Sequence, residues 1–264
     1  MTDHTAADLA ELISLPRPVY GHAESLPNRA LGYPHCHSWI QISHADSGVV
    51  DVRTDTGRYI APPQRAIWIP AGVTHSVHCS TNTIIRSLYV ATTAIPDRLR
   101  EECRVLEVSP LLQQLIRAFG ELPITYDEAG SAGRLAAVLL DQLAAARELG
   151  LVLPLPREPR ILHICQALEA DPESRDGLAT WSARLRCSER TLSRLFRLHT
   201  GLTFRLWRQR LRLISSLPLL EAGQRVTDVA MSCGYDSVSA FIAAFHEHFG
   251  HTPGEFMARK HDFG

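Results

Sequence analysis

The chain has 264 residues, of which 45% are hydrophobic and 21% charged, with a formal net charge of −1. This composition supports folded domains, roughly two at this length, and excludes a disordered chain. No apolar run reaches the roughly 18 residues of a membrane-spanning helix, so we expect no membrane partner.

The cysteines and the N-terminal segment favour a cytoplasmic protein. Six cysteines are scattered without a C-x-x-C pair, which predicts free thiols in a reducing compartment. The first residues carry early acids and lack the basic and then apolar order of a secretory signal.

Short alternating runs over residues 35–90 are typical of β-strands, and turn signals such as Asp46-Ser47-Gly48 separate them. They predict an N-terminal all-β sandwich or barrel within a domain of residues 1–107. Residues 108–152 then change to helical spacing. Ser109 and Pro110 fit an N-cap and a first helical position.

The pattern of residues 108–152, the helical connector, predicts two helices with apolar faces. In the first, the face holds Leu111, Leu112, Leu115, Ile116 and Phe119; in the second, it holds Leu135, Val138, Leu139 and Leu143. These faces pack either on the barrel or on a partner chain, and a homodimer is expected from the latter. Three prolines within residues 153–159 predict a linker.

Residues 160–264 predict an all-α domain. Helical patterns cover residues 159–170, 177–185, 188–199, 203–220, 226–233 and 237–249, with a short helix near 254–260. Pro218 is expected to end or kink the long fourth helix.

Charge is concentrated in this domain. The window Arg184–Arg212 holds nine arginines against one acid, Glu189, a net charge of +8 in 29 residues. A solvated helix face usually mixes both signs. We therefore interpret the window as a surface for a polyanion, most simply nucleic acid.

An internal repeat organises the same domain. A shift of 49 residues places Ser188 on Ser237, Phe196 on Phe245, Gly201 on Gly250 and Thr203 on Thr252. Each copy has a short helix, a tight turn, a serine that can cap a second helix, and a closing glycine. This is a helix-turn-helix, present twice.

The second helix of each copy is the candidate DNA-reading element. In copy one, Leu192, Leu195 and Phe196 share the face that buries. The opposite face carries Arg190, Ser193, Arg194 and Arg197. In copy two, that face carries Ser239, Ala240 and Ala243. Copy one is therefore expected to supply charge and specificity, and copy two a close fit in the groove.

The stretches "ERTLSRLFRLHTGLTFRLWRQRLRL" and "VTDVAMSCGYDSVSAFIAAFHEHFGHTPGEF" resemble the DNA-binding domain of AraC/XylS-type transcription regulators over about residues 160–260. The resemblance implies seven helices, with two helix-turn-helix units on either side of a long linking helix, and promoter DNA as partner. It carries over Arg190, Ser193 and Arg194, and Ser239, Ala240 and Ala243, as recognition positions. Arg186 stands where this family usually has glycine, so a left-handed turn there would be strained.

The stretch "PHCHSWIQ" resembles the first cupin motif, and Pro70-x-Gly72-x-x-His75 resembles the second. The resemblance spans about residues 30–90 and implies a cupin sensor domain. One interpretation is a site for Zn, Ni, Cu or Fe formed by His35, His37, Gln41 and His75. The other is that the histidines line a pocket for a small-molecule effector. Gln41 replaces the glutamate of metal-binding cupins and is a poorer ligand for a divalent ion.

Together these features predict a sequence-specific transcription regulator and not an enzyme. Its target by this resemblance is an adjacent transporter or catabolic gene, and RNA polymerase is a partner if the chain is an activator. The enzyme alternative is a metal-dependent cupin enzyme with a helical accessory domain. The DNA-based alternative is an architectural binder with steep salt dependence and little sequence preference.

Overall fold

The computed structural model describes residues 15–25, 32–79, 83–99, 101–123 and 125–258. They divide into two compact units. The N-terminal unit comprises residues 1–52 and 61–150, and the C-terminal unit comprises residues 53–60 and 151–264.

Ten strands, β1 to β10, form two antiparallel sheets. They are Val19–Ser25, Ile40–Ser47, Val50–Thr54, Gly57–Ala61, Arg65–Ile69, His75–Cys79, Ile84–Val90, Arg104–Glu107, Glu148–Leu149 and Val152–Pro154. The first sheet has the order β1-β7-β2-β5-β8-β9, and the second has the order β10-β4-β3-β6. This confirms the predicted β-rich N-terminal fold.

Strand β2 fixes the register of the first sheet. It pairs with β7 on one side and β5 on the other, so that Gln41 lies opposite Tyr89 and Ile69. The strand ends at Ser47, and the next residue, Gly48, has a φ of +83°, which suits a residue without a side chain. A Cβ at Gly48 would also collide with Thr83.

Two helices cover the first sheet: α1 (Pro110–Gly120) and α2 (Ser131–Ala145). Both join one apolar core with the strands, and so the first of the two predicted packing modes is the one seen. The core residues of the two helices are Leu112, Leu115, Ile116, Phe119, Ala136, Leu139 and Leu143. Leu111 and Val138, which were predicted on the apolar faces, are 54% and 45% exposed.

The predicted linker differs from the structure at its start. Pro154 belongs to β10, which pairs antiparallel with β4. Strand β10 lies at the edge of the second sheet, and proline is tolerated there because its missing N–H faces away from a partner. The neighbouring Leu153 is fully buried. The predicted domain boundaries themselves stay a prediction.

Seven α-helices follow in the described part of the C-terminal unit. Helices α3 to α9 are Pro159–Ala170, Leu178–Leu185, Glu189–Thr200, Phe204–Glu221, Val226–Ser232, Val238–Phe249 and Pro253–Ala258. This confirms the predicted all-α fold. No helix in the described part of the chain is long and apolar enough to cross a membrane.

Helix α6 (Phe204–Glu221) runs three residues past Pro218, where an end or a kink was predicted. Leu217 and Leu220 are buried beside the proline. Burial of their side chains offsets the loss of one backbone hydrogen bond, so the last turn stays helical.

The two repeats are built from the same caps. Ser188 and Ser237 accept hydrogen bonds, each 3.2 Å long, from the amides of Thr191 and Ala240, and so start α5 and α8. Gly201 and Gly250 end these helices in the left-handed conformation, with φ of +70° and +80°.

Arg186 ends α4 in the left-handed conformation, with φ of +49° and ψ of +44°. An L-residue with a Cβ is strained there. We expect Arg186→Gly to raise the free energy of unfolding by about 0.5–1 kcal/mol, because relief of strain exceeds the added chain entropy. Urea unfolding measures this, with Arg186→Ala as the matched control. An equal gain in the alanine variant would assign the effect to the arginine side chain rather than the backbone.

Candidate DNA interface and histidine cluster

The exposed face of α5 collects the predicted recognition residues of copy one. Leu192 and Phe196 are fully buried and hold the helix against its unit. Arg190, Arg194 and Arg197 are exposed, and Ser193 is half-buried between them. None of the three guanidiniums has an ion-pair partner among the described residues, so all are available to an incoming anion.

The exposed face of α8 collects the residues of copy two. Ser239, Ala240 and Ala243 are exposed, whereas Phe241 and Phe245 are fully buried. Small exposed side chains allow the helix backbone to approach a partner surface closely.

The sequence indicated that the basic window forms a single surface, and the structure shows that it does not. Arg212 donates to three backbone carbonyl oxygens, those of Pro172, Ser174 and Gly234. Arg210 donates to the carbonyl of Val152. These guanidiniums donate to carbonyl groups inside the unit, so their charge does not add to the exposed basic surface.

Two further arginines of the window have local partners. Arg208 donates to the carbonyl of Asp176, and Arg184 forms an ion pair with the Asp176 carboxylate. The net charge of +8 therefore overstates the basic surface, and the part without such partners is concentrated on α5.

Three histidines of the N-terminal unit converge: His35 and His37 lie in the segment before β2, and His75 is the first residue of β6. His35 and His75 are joined by two backbone hydrogen bonds of 2.9 Å, and the carbonyl of His37 accepts from Gly72. The ligand atoms of the three imidazoles all lie within 4.8 Å of one another. His75 is buried, and the other two are half-buried.

Hydrogen bonds fix the tautomer of each ring. The Nδ1 atoms of His35, His37 and His75 lie 3.1, 2.8 and 2.9 Å from the carbonyl oxygens of Tyr33, Trp39 and Val73. A carbonyl can only accept, so each Nδ1 carries the proton and each Nε2 keeps a lone pair. This is the arrangement found around histidines that bind metals.

Burial keeps two of the rings neutral. Desolvation lowers the pKa of His75 to about 4, and it also lowers the pKa of His37. At neutral pH their Nε2 lone pairs are therefore available to an electrophile.

Gln41 lies among these lone pairs. Its Oε1 is 2.9 Å from His37 Nε2 and 3.3 Å from His75 Nε2, and its Nε2 donates to Ser43 Oγ. In this arrangement Gln41 Oε1 and the Nε2 atoms of His37 and His75 are all acceptors. Either a cation lies between them, or the amide turns so that its NH₂ donates to both rings and Ser43 donates to Oε1. Three imidazoles and a carbonyl oxygen fit a divalent metal ion.

Sequence reasoning missed a buried ion network at the end of β2 away from the histidines. Asp46 accepts from Arg86 Nε at 2.8 Å and from Arg117 Nε at 2.9 Å. Burial raises the pKa of Asp46, but the two guanidinium hydrogen bonds outweigh burial and lower it. The network joins β2, β7 and α1. The sequence predicts a turn at Asp46, whereas the residue lies within β2. A single acid at the end of an apolar run was the available signal.

Two family models match the chain. The model of the AraC-like ligand binding domain matches residues 18–144, and a model described as helix-turn-helix domain matches residues 181–259. The HTH-type transcriptional regulator NimR of Escherichia coli K12 is 35% identical over 225 residues, which cover 85% of this chain and 82% of NimR.

The chain belongs to the AraC family of transcriptional regulators. It is a DNA-binding regulator with an N-terminal ligand-binding domain, and the members of this family are not enzymes. RipA of Corynebacterium diphtheriae is 34% identical over 108 residues, which cover 41% of this chain and 32% of RipA. The crystal structure of ToxT from Vibrio cholerae O395 covers 92% of this chain and 97% of its own, with a TM-score of 0.40 and 14% identity.

Because only some arginines of the basic window are bonded inside the unit, their replacement is expected to change stability by unequal amounts. We expect Arg212→Met to lower the free energy of unfolding by about 2–4 kcal/mol, because three carbonyl groups lose their donor. The matched variant Arg194→Met removes an exposed guanidinium and should change stability by less than about 0.5 kcal/mol. Urea unfolding of both variants measures the difference. Equal stability would contradict the structural role given to Arg212.

Proposed function

We propose that this AraC-family regulator reads promoter DNA through α5 and α8, and that its ligand-binding domain holds a divalent metal ion. The exposed guanidiniums of Arg190, Arg194 and Arg197 on one helix face carry the first part of the proposal. The convergence of three histidine Nε2 atoms with Gln41 Oε1 carries the second.

In the DNA complex, α5 enters the major groove by its N-terminal half. Arg190 and Arg194 are four residues apart and so are neighbours on one helix face, where each can reach a guanine edge or a phosphate. Arg197 lies one turn of helix beyond Ser193 and is suited to a phosphate. The repulsion between like charges in the free chain is relieved when the DNA supplies the counter-charge.

Helix α8 enters the next major groove on the same DNA face, about 34 Å away along the duplex axis. Ser239 offers a hydroxyl to a base edge. Ala240 and Ala243 allow close approach and contact thymine methyl groups. Copy two thus contributes shape, and copy one contributes most of the base discrimination.

In the ligand-binding domain, His35, His37 and His75 would hold the metal, with Gln41 as a weaker fourth donor. Three imidazoles suit Zn, Ni, Cu or Fe. The ion would supply a fixed positive charge among buried rings, either as a sensed species or as the anchor of an effector. It would also orient Gln41, whose amide otherwise turns to the histidines.

We place the regulator in the cytoplasm, where the promoter is. The homodimer is assigned to the exposed side of α2, where Val138 is 45% exposed. RNA polymerase is the partner if the regulator activates, and the regulated gene is an adjacent transporter or catabolic gene. A small-molecule effector is the remaining partner, and it acts by favouring one arrangement of the bound chain over another.

We expect Arg194→Ala to weaken specific DNA binding by about 1–3 kcal/mol and to relax base preference locally. The measurement is fluorescence anisotropy at fixed salt, with duplexes selected from a random pool by the unaltered chain. Arg53→Ala, which removes one exposed charge from β3, is the control and should leave binding unchanged. Weaker binding with an unaltered base preference would assign Arg194 to a phosphate instead.

We expect His37→Ala to lower the affinity for Zn²⁺ or Co²⁺ at least about tenfold, since an imidazole ligand and its backbone anchor are lost. Gln41→Glu should raise that affinity, because a carboxylate is a better ligand for a divalent ion. Titration of the metal-stripped chain measures both, with His78→Ala as the control. If the unaltered chain binds neither ion, the histidines line an effector pocket and the metal proposal fails.

A further inference from the structure

The outward face of α2 has a composition that is unusual for a surface in contact with water alone. Its exposed residues are Ser131, Arg134, Ala137, Val138, Asp141 and Ala145. Arg134 and Asp141 are the only charged residues of this 15-residue helix. A helix face that stays in solvent usually carries charged and polar side chains along its length. Small and apolar residues between two isolated charges favour a face that packs on another surface.

The two charges oppose the dipole of their own helix. Helix α2 has no acid in its first turn and no basic residue in its last turn. Arg134 lies near the N-terminal end instead, and Asp141 lies in the C-terminal half. Acids stabilise the N-terminal end of a helix and bases stabilise the C-terminal end, so this order does not favour the isolated helix. Within the described part of the chain, neither side chain has a hydrogen-bond or ion-pair partner.

The spacing of these residues fits a second copy of the same helix in antiparallel orientation. Arg134 and Asp141 are seven residues apart, which is about two turns and about 10 Å along the axis, so they share one side of the helix. A two-fold axis between Ala137 and Val138 lies halfway between the two charges. It places Arg134 of each copy opposite Asp141 of the other, and Ala137 opposite Val138. The face is therefore complementary to itself, as an interface between two identical chains requires.

The ends of the helix fit the same axis. It places Ser131 opposite Ala144, and the N-cap residue Gly130 opposite Ala145. These residues are small, and the distance between two packed helices depends on the size of the side chains between them, so the backbones can approach closely at both ends.

The charges exclude the parallel alternative. A parallel pair would place Arg134 against Arg134 and Asp141 against Asp141, and like charges in contact repel. In the antiparallel pair, the N-terminal end of one helix lies beside the C-terminal end of the other. Each charge then meets both an opposite charge and the opposite pole of the neighbouring helix dipole.

We propose that two chains associate through an antiparallel pair of α2 helices, in which Arg134 and Asp141 form two symmetry-related ion pairs around Ala137 and Val138. This inference rests on the homodimer of the proposed function and assigns its orientation and register. The opposite side of α2 is buried in the core of its own unit, through Ala136, Leu139 and Leu143. The outward face can therefore bind a second copy without rearrangement of the unit.

The experiment is sedimentation velocity of the full chain over a dilution series. The unaltered chain should dimerise. Arg134→Asp and Asp141→Arg should each raise the dimer Kd at least about tenfold, because each places like charges opposite one another twice. Both substitutions agree with the helix dipole, so a weaker helix would not be the cause. Arg53→Asp, the same substitution at an exposed residue of β3, should leave the Kd unchanged.

A mixture of the two variants tests the pairing itself. One variant has two acids on the outward face of α2 and the other has two bases, so an equimolar mixture should form a heterodimer with a Kd near that of the unaltered chain. The double variant Arg134→Asp/Asp141→Arg exchanges the two charges and should restore the homodimer. Failure of either to restore association would overturn the pairing of Arg134 with Asp141.

Two outcomes separate this interface from the homodimer as such. If the unaltered chain stays monomeric at the highest concentration of the series, the homodimer of the proposed function is wrong, and this interface with it. If the chain dimerises and Arg134→Asp dimerises equally well, the homodimer stands and this interface is wrong. Thermal unfolding of each variant establishes that the chain remains folded.

Discussion

The ends of a helix leave backbone groups without partners, and the placement of the two helices that we propose read DNA depends on how this chain satisfies them. Ser188 and Ser237 cap the starts of α5 and α8, and Gly201 and Gly250 close their ends. A cap fixes the first residue of a helix and therefore the phase of every residue after it. Because Ser188 starts α5, Arg190 and Arg194 fall on the face opposite the buried Leu192.

The same need for partners decides how the arginines are used. Backbone carbonyls that turn inward between helices require donors, and Arg212 supplies three of them. A guanidinium with several donors in a fixed plane suits this role better than an ammonium group does. The arginines of α5 point away from any such carbonyl. One run of like charge thus supplies both hydrogen bonds inside the unit and the surface that we propose binds DNA.

In the ligand-binding domain, strand β2 connects the histidine cluster with the buried ion network. Gln41 of β2 lies among the histidines, and Asp46 at its other end accepts from Arg117 of α1. A ligand among the histidines therefore contacts a strand that shares a buried ion network with β7 and α1, in which removal of one partner leaves an uncompensated charge.

The sequence by itself determined the family, the two helix-turn-helix repeats and the groups of residues on α5, α8 and the cupin motifs. These features depend on local periodicity, capping and spacing, which are written in consecutive residues. Only the tertiary structure decided that α1 and α2 pack on the sheet, that Pro154 joins a strand and that Arg212 faces inward. It also placed Asp46 between two guanidiniums. Each of these depends on residues distant in the chain, and the burial and charge that surround a side chain cannot be read from its neighbours in sequence.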